Sequence, residues 1–364
     1  MRRVQLDKIA SVTARLKLDR NAVLSEQIPA VSGSVIAGRI LNAKTVYNTL
    51  EDVHGRMVTL QPGDVIAGAL GHRDALRGFS GRVPESVAVG DVLQMLNIGG
   101  VIGIGAEPAP GVGEPFRVEV LGGVLEFPYL EQRVGVPANI GRAALPQVRM
   151  TPEDAAELPP VIALVGTSMD SGKTTAACML IAELAREGKR IAAGKLTGVS
   201  LRRDVLAMSD CGALRTAIFT DFGVVTTNEA NAVAAAHSIL AHLSADEIAP
   251  PDVIVLEFGD GLLGTYGVHA LLSDETIRAS ITKTILCAHD PVGAWGGVRL
   301  LEERFGLRTS VVAGRVTDTP AGLRFCREQL GVPTWNALAD GPHVRGILFP
   351  EQLSPEQALV GGRT

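Results

Sequence analysis

The densest group of residues with chemical potential lies in segment 161–177, VIALVGTSMDSGKTTAA. An apolar run leads into Gly166, and Gly-Lys-Thr-Thr at 172–175 opens a helix-forming run. A glycine-rich turn between a strand and a helix points backbone N–H groups inward, where the positive end of the helix dipole also favours anions. The lysine adds a cation for phosphate oxygens, and the next hydroxyl can bind Mg²⁺. The segment is therefore predicted to be a phosphate-binding loop.

Most residues of this loop are predicted to contact the phosphate-bearing ligand. The side chain of Arg315, which follows a later strand, is predicted to contact it as well. Lys173 is also assigned a catalytic role, because its charge can stabilise charge that develops on a transferred phosphoryl group. The predicted contact residues are Gly166, Thr167, Ser168, Asp170, Ser171, Gly172, Lys173, Thr174, Thr175 and Arg315.

Two polar residues follow a further apolar run, 284–287. A neutral His289 can act as a general base, with Asp290 orienting it or binding a substrate ammonium. A hydrogen-bonded loop histidine is the alternative interpretation. The glycine-rich stretch 293–297, which contains Trp295, is predicted to be a flexible cover.

The elements that must position these residues change in character near residue 150. Before it, short Val/Ile/Leu runs are bounded by Gly, Pro and Asp, which predicts a β-rich domain, a barrel or a sandwich, over 1–150. After it, strands and helices alternate, which predicts an α/β domain over 158–350 with a parallel sheet and helices on both faces. Ligands of such sheets bind at the carboxyl ends of the strands. Segment 146–160 is predicted to be a linker or a short helix.

Composition narrows the class of protein. A net charge of −5 argues against a nucleic-acid-binding protein or a membrane-surface protein. The chain has no run of about 18 or more uncharged apolar residues, and its charged N-terminus does not look like a signal peptide. The four cysteines are scattered. A reduced, cytoplasmic protein is expected.

Five residues separate Gly166 from Gly172, one more than in the common Walker A loop. This longer loop resembles that of dethiobiotin synthetase and its relatives. The resemblance implies that Lys195 contacts phosphate and substrate, and that Asp210 binds the metal. The family's acidic strand end is matched by Glu257, so the resemblance implies a Mg²⁺ site made by Thr174, Asp210 and Glu257. Asp221 competes with Asp210 for the metal role.

A second resemblance covers about 158–340. A group of P-loop proteins long labelled a domain of unknown function combines the same loop with a Thr-Gly turn, an acidic strand end and Cys-His-Asp-Pro. This chain has Thr197-Gly198, the stretch 257–262 and Cys287-Ala288-His289-Asp290-Pro291. That group includes a D-glutamate N-acetyltransferase, which implies acyl-CoA as an alternative to ATP.

We expect an ATP- and Mg²⁺-dependent transferase or ligase, a kinase or an amide-forming enzyme, acting on a small amino-acid-like or carboxylate metabolite. The catalytic residues would be Lys173, Lys195, His289 and Asp290. The alternatives are an acyl-CoA-dependent N-acyltransferase and a regulatory nucleotide switch. A homodimer is expected. In the N-terminal domain, His72, Arg73 and Arg77 form either an anion clamp or a solvated turn.

Overall fold

The computed structural model describes residues 1–75, 78–105, 108–129, 134–245, 249–340 and 344–349. The chain divides into two compact units. The first unit consists of Met1–Pro146, Val199–Arg203 and Phe219–Thr227, and the second of Gln147–Gly198, Asp204–Ile218 and Asn228–Thr364. Two short segments of the later sequence therefore cluster with the N-terminal part of the chain.

The first unit is built almost entirely from short strands around an apolar core. β10 is the longest strand, and it pairs with β8, β4 and β3 along its length. Because β8 pairs with both β9 and β10, the pairings β10-β4-β7-β9-β8 return to β10 and close the sheet. The β-rich prediction is confirmed. The strands are β1 Arg2–Gln5, β2 Lys8–Ile9, β3 Asn21–Ser25, β4 Val35–Ile40, β5 Thr49–Glu51, β6 Met57–Thr59, β7 Val65–Leu70, β8 Val92–Met95, β9 Val101–Gly103, β10 Arg117–Glu126 and β11 Val136–Pro137.

The second unit contains a six-stranded sheet with the order β14-β13-β15-β12-β16-β17. Every pairing in this sheet is parallel. β12 is buried at all its positions, as expected for a parallel strand covered on both faces. The predicted α/β class, with a parallel sheet flanked by helices, is confirmed. The strands are β12 Val161–Gly166, β13 Ile191–Lys195, β14 Ala213–Ile218, β15 Val253–Glu257, β16 Ile281–Cys287 and β17 Val311–Ala313.

The helices of the second unit include the one that follows the predicted phosphate loop. Segment 146–160 contains a short helix with a capping box, in which Thr151 and Asp154 each accept a backbone N–H of the other. A π-helical turn, Phe325–Gln329, continues α8. The helices are α1 Pro152–Ala156, α2 Lys173–Arg186, α3 Arg203–Asp210, α4 Ala232–Ser244, α5 Val268–Ser273, α6 Glu275–Ser280, α7 Pro291–Phe305, α8 Pro320–Arg324 and α9 Val344–Leu348.

The prediction of a flexible cover at 293–297 was wrong, because this stretch lies inside α7. The Asp290 side chain accepts the Gly293 N–H at 2.8 Å, and Pro291 occupies the first turn. An Asp N-cap followed by proline is a strong start signal for a helix, and it outweighs the low helix propensity of the glycines. Trp295 is exposed on this helix.

None of the helices in the described ranges is long and apolar enough to cross a membrane.

At the amino ends of the strands, an ion pair joins two neighbours of the sheet. The Arg190 guanidinium and backbone N–H both donate to the Asp252 carboxylate, at 2.8 Å each. These residues directly precede β13 and β15, so the pair links the starts of the two strands. The side-chain and backbone hydrogen bonds from Arg190 lower the pKa of Asp252 to about 2.

The lowered pKa predicts acid-dependent stability. The contribution of Asp252 is complete above its unfolded pKa of about 3.9 and disappears as the pH falls to about 2. Asp252→Asn should therefore lower the free energy of unfolding at pH 7 and flatten its decline between those two values. Urea unfolding across that pH range measures both effects. Arg190→Met should flatten the decline in the same way, and a parallel decline in Asp252→Asn and wild type would contradict the assignment.

Candidate functional site

The predicted phosphate loop joins the end of β12 to the start of α2 as one tight turn. Gly166 is the last residue of β12, and Lys173 is the first residue of α2. Gly172 has φ +100°, in the left-handed region that favours glycine, and Asp170 also has positive φ, at 61°. This backbone places the start of α2 behind a compact loop, the arrangement that suits an anion.

The Lys173 side chain folds back over the loop that precedes it. Its ammonium donates to the Ser168 carbonyl at 2.9 Å and to the Ser171 hydroxyl at 3.4 Å. Burial lowers the pKa of Lys173, and the nearby Glu257 partly opposes that effect. The ammonium thus lies against the backbone and the hydroxyl of the loop itself.

Backbone groups at and after the ends of neighbouring strands hold the start of the loop, and a glycine packs against its later part. The Leu262 N–H donates to the Gly166 carbonyl at 2.8 Å, and the Thr167 N–H donates to the Cys287 carbonyl at 3.0 Å. Gly314, which follows β17, approaches so closely that an added Cβ would lie 2.1 Å from the Ser171 carbonyl oxygen. The loop conformation therefore depends on the segments after β15, β16 and β17.

Glu257 is the buried carboxylate at the end of β15, and parallel register sets its neighbours. It lies opposite Lys195 on β13 and opposite Leu164 on β12, so β15 separates the lysine from the loop strand. The Thr174 hydroxyl donates to Glu257 Oε1 at 3.1 Å, and the Lys195 ammonium lies 4.0 Å from the same oxygen. The structure thus brings together three of the residues singled out in the sequence: Thr174, Lys195 and Glu257.

The acidic partner of Lys195 is Asp204, a residue that was not predicted from the sequence. The Lys195 ammonium contacts the Asp204 carboxylate, and each side chain is 11% exposed. Asp210 is exposed at the opposite end of α3. Asp221 clusters with the first unit, where its carboxylate pairs with Arg202 at 2.7 Å. Of these three aspartates, Asp204 is the one whose charge acts on Glu257.

The electrostatics of Glu257 are those of a carboxyl group that needs a cation. Burial raises the pKa of Glu257, Lys195 opposes the rise, and Asp204 adds to it. Its second oxygen, Oε2, is buried and has no hydrogen-bond partner within the described part of the chain. A buried carboxylate oxygen is normally satisfied, so this atom points to a bound cation or water.

The side chains here fit Mg²⁺ in their chemistry. Thr174, Asp204 and Glu257 offer only oxygen, the donor that Mg²⁺ prefers, and Mg²⁺ commonly binds through one or two carboxylates together with substrate phosphates. No group of three or more His, Cys, Asp or Glu side chains within the described ranges is arranged to hold a metal. A metal at this site would therefore be shared with the phosphate ligand.

The remaining predicted residues lie at the same edge of the sheet in different settings. His289 is half-buried and Asp290 is exposed, where it caps α7 as described. Arg315 is exposed in the 3-10 turn after β17, and Thr175 is exposed on α2. The Asp290 carboxylate is engaged by the helix that it caps, which gives it a structural role independent of His289.

Two further contacts at this edge were absent from the sequence analysis. The Thr197 hydroxyl donates to the Gly259 carbonyl at 2.7 Å, which ties the segment after β13 to the one after β15. Asn336 is buried, and its amide donates to the Thr317 carbonyl at 2.9 Å and to Asp318 Oδ1 at 3.3 Å. The Asn336 contact depends on a parallel bridge between residues 312 and 334, which local sequence cannot indicate.

In the first unit, Arg73 is not an exposed residue but is held by a backbone hydrogen bond. It is buried, and its guanidinium donates to the Leu96 carbonyl at 2.5 Å. Burial lowers the pKa of His72, and Asp74 opposes that effect. Arg77 lies outside the described residues, so the anion clamp stays a prediction.

The close approach of Gly314 to Ser171 predicts that the loop conformation depends on this glycine. Gly314→Ala should put a methyl group against the Ser171 carbonyl and increase amide hydrogen exchange in residues 166–175 by at least about tenfold, a local opening cost of roughly 1.4 kcal/mol. Hydrogen exchange with mass spectrometry measures it without any ligand.

Gly306→Ala is the matched control. Gly306 also has positive φ, at 65°, but no atom lies within 4 Å of an added Cβ. Gly306→Ala should lose about 1–2 kcal/mol from the left-handed backbone. Gly314 has φ 84° and ψ −164°, a conformation essentially restricted to glycine, so Gly314→Ala should lose about 1–3 kcal/mol from the backbone, and only this variant should also open the loop. Equal exchange at 166–175 in the two variants would contradict the prediction.

The comparisons with known proteins give likenesses of structure only. A scan against protein-family models finds no match, and no curated protein is similar in sequence. The signal recognition particle receptor FtsY from Elizabethkingia anophelis has a TM-score of 0.35 at 17% identity, covering 49% of this chain and 58% of that chain. The chain thus spans little more than half of that receptor.

Two other solved structures match larger parts of the chain. A DUF1611 family protein from Anabaena variabilis has a TM-score of 0.42 at 16% identity, covering 62% of this chain and 68% of that chain. A nucleotide-binding protein from Archaeoglobus fulgidus, in complex with ADP, has a TM-score of 0.39 at 11% identity, covering 57% and 96%. At these identities and TM-scores, no activity or ligand follows from the likeness.

Proposed function

We propose that the chain is a P-loop enzyme that binds ATP with Mg²⁺ and transfers the γ-phosphoryl group to a small carboxylate-bearing or amino-bearing metabolite. The transfer breaks the bond from the γ-phosphorus to the bridging oxygen and forms a bond to an acceptor oxygen, which leaves ADP. The product is a phosphorylated metabolite, or an amide formed when an amine displaces phosphate from an acyl phosphate.

The single observation that carries this proposal is the contact between the phosphate loop and the neighbouring strand ends. Thr174, in the first turn of α2, donates to Glu257, and Lys195 lies 4.0 Å from the same carboxylate oxygen. A loop that only bound an anion would not require a buried carboxylate beside it. A carboxylate, a hydroxyl and two lysines together suit a phosphoryl group that is bound with a metal.

Each residue then has a role that its position supports. Backbone N–H groups of the loop and the start of α2 would bind the phosphates, and Lys173 would contact their terminal oxygens. Lys195 would stabilise charge on the transferred group or on the acceptor. Thr174, Glu257 and Asp204 would hold Mg²⁺, with Asp204 taking the place that the sequence analysis gave to Asp210.

Two other functions use the same loop and differ in what is released. An acyl-CoA-dependent N-acyltransferase would bind the CoA phosphates, use His289 as base toward an amino acid, and release a thiol without ADP. A regulatory nucleotide switch would hydrolyse ATP slowly with no acceptor. Both functions would use the same loop but would give the acidic cluster a different role, so analysis of the products distinguishes them from the proposed function.

The test is calorimetric titration of ATP, GTP and CoA, each with and without Mg²⁺. We expect ATP to bind with an affinity that Mg²⁺ strengthens. Lys173→Ala should weaken binding by at least about a hundredfold, since it removes a charged contact of roughly 2.7 kcal/mol to phosphate. Lys189→Ala, which removes a lysine beyond the last residue of the same helix, should bind like wild type.

Activity is then measured as ADP formed with a panel of small carboxylates and amines, with hydroxylamine added to trap an acyl phosphate. ADP formation that depends on one acceptor class supports the proposal. Binding of CoA with thiol release, or ATP hydrolysis that no acceptor accelerates, would replace it with one of the other two functions.

A further inference from the structure

Lys195 is arranged as the counter-ion of two carboxylates at once. Its ammonium contacts the Asp204 carboxylate and lies 4.0 Å from Glu257 Oε1. Asp204 and Glu257 are both buried, and the charge of Asp204 raises the cost of charging Glu257, because like charges in a buried site repel. The ammonium therefore occupies the place where positive charge is needed most.

The stem of Lys195 is confined by the backbone around it. An added Cβ on Gly259 would lie 3.1 Å from Lys195 Cε, and one on Gly198 would lie 3.6 Å from the same atom. Gly259 is itself held by the Thr197 hydroxyl at its carbonyl. These two backbone segments leave room for the stem and aim the ammonium at the carboxylates.

The lysines near this cluster leave one carboxylate oxygen unsatisfied. The charges of Lys195 and Lys173 both act on Glu257, yet its Oε2 is buried and has no hydrogen-bond partner within the described part of the chain. A divalent cation bound by the carboxylate oxygens would satisfy that atom. It could not share the position with an ammonium, because two cations within a few ångström repel strongly in a buried site. Thr174, already bonded to Glu257, offers a third oxygen to such a cation.

We propose that the Lys195 ammonium takes the place of the divalent cation at Asp204 and Glu257, so that metal binding displaces it from the carboxylates. The displaced ammonium then becomes available to the phosphoryl group or the acceptor. Binding of a negatively charged acceptor by the Lys195 ammonium is thereby coupled to metal binding. This use of the released lysine rests on the proposed function, whereas the exchange between lysine and metal is a property of the cluster itself.

A permanent structural ion pair makes a different prediction. In that case the Lys195 ammonium stays on the carboxylates when the metal binds, and its accessibility does not change. Displacement requires both that removal of the ammonium strengthens metal binding and that metal binding makes the ammonium more accessible. The two accounts therefore differ in the accessibility of Lys195 with and without metal.

The experiment is a thermal-shift titration with Mn²⁺ in the absence of nucleotide, using wild type, Lys195→Met and Lys8→Met. Lys195→Met should lower the melting temperature in metal-free buffer, because it removes a cation from beside two buried carboxylates. Its Mn²⁺ midpoint should be about tenfold lower than in wild type, within the usual range of coupling between sites. Lys8 pairs with Asp64 at 2.5 Å in the first unit, so Lys8→Met should keep the wild-type midpoint.

A second measurement uses wild type and does not depend on a variant that folds. Mn²⁺ should increase acylation of Lys195 by an amine-reactive ester, read by mass spectrometry, and leave Lys8 and Lys189 unchanged. Glu257→Gln should abolish that increase. An equal or higher Mn²⁺ midpoint in Lys195→Met, or Lys195 acylation that Mn²⁺ lowers or leaves unchanged, would overturn the proposal. Because no nucleotide is present, these outcomes are independent of whether the protein binds ATP.

Discussion

The buried carboxylate of Glu257 is the group on which the rest of the site depends. It ends β15, the strand between the loop strand β12 and the lysine strand β13. A charge in that position is costly unless cations and hydrogen-bond donors surround it. Thr174 and Lys195 supply those contacts, and both are placed by elements that Glu257 itself touches. The start of α2 and the end of β13 are thus held at one point by a single side chain.

Parallel register explains why so few residues suffice. Neighbouring strands are about 4.8 Å apart, and all six run the same way, so their carboxyl ends meet at one edge. Residues far apart in sequence become neighbours as soon as the sheet forms. The ion pair of Arg190 and Asp252 lies at the opposite edge and links the starts of β13 and β15. One edge of the sheet therefore holds an ion pair between strand starts, and the other holds the side chains of the candidate site.

Much of this arrangement could be predicted from sequence, and the failures have physical causes. The loop was identifiable because its glycines, lysine and threonine each answer a local requirement of phosphate binding. Glu257 was identifiable because an acidic residue closes an otherwise apolar strand. Asp204 was missed because nothing local marks the start of α3, and Asp210 was preferred on resemblance. Asp204 and Asp210 are six positions apart, which amounts to about 9 Å along a helix and roughly 120° around it, so only one of the two can face Lys195.

The hydrogen bonds that close the phosphate loop also determine when it can exist. Gly166 is hydrogen-bonded to the segment after β15, and Thr167 is hydrogen-bonded to the end of β16. Ser171 packs against Gly314, which follows β17. These partners are synthesised long after the loop, so the loop's contacts are of high contact order. A growing chain that has produced only the loop and α2 lacks the groups that shape it. The loop conformation is therefore acquired late in folding, as a property of the completed sheet rather than of the motif.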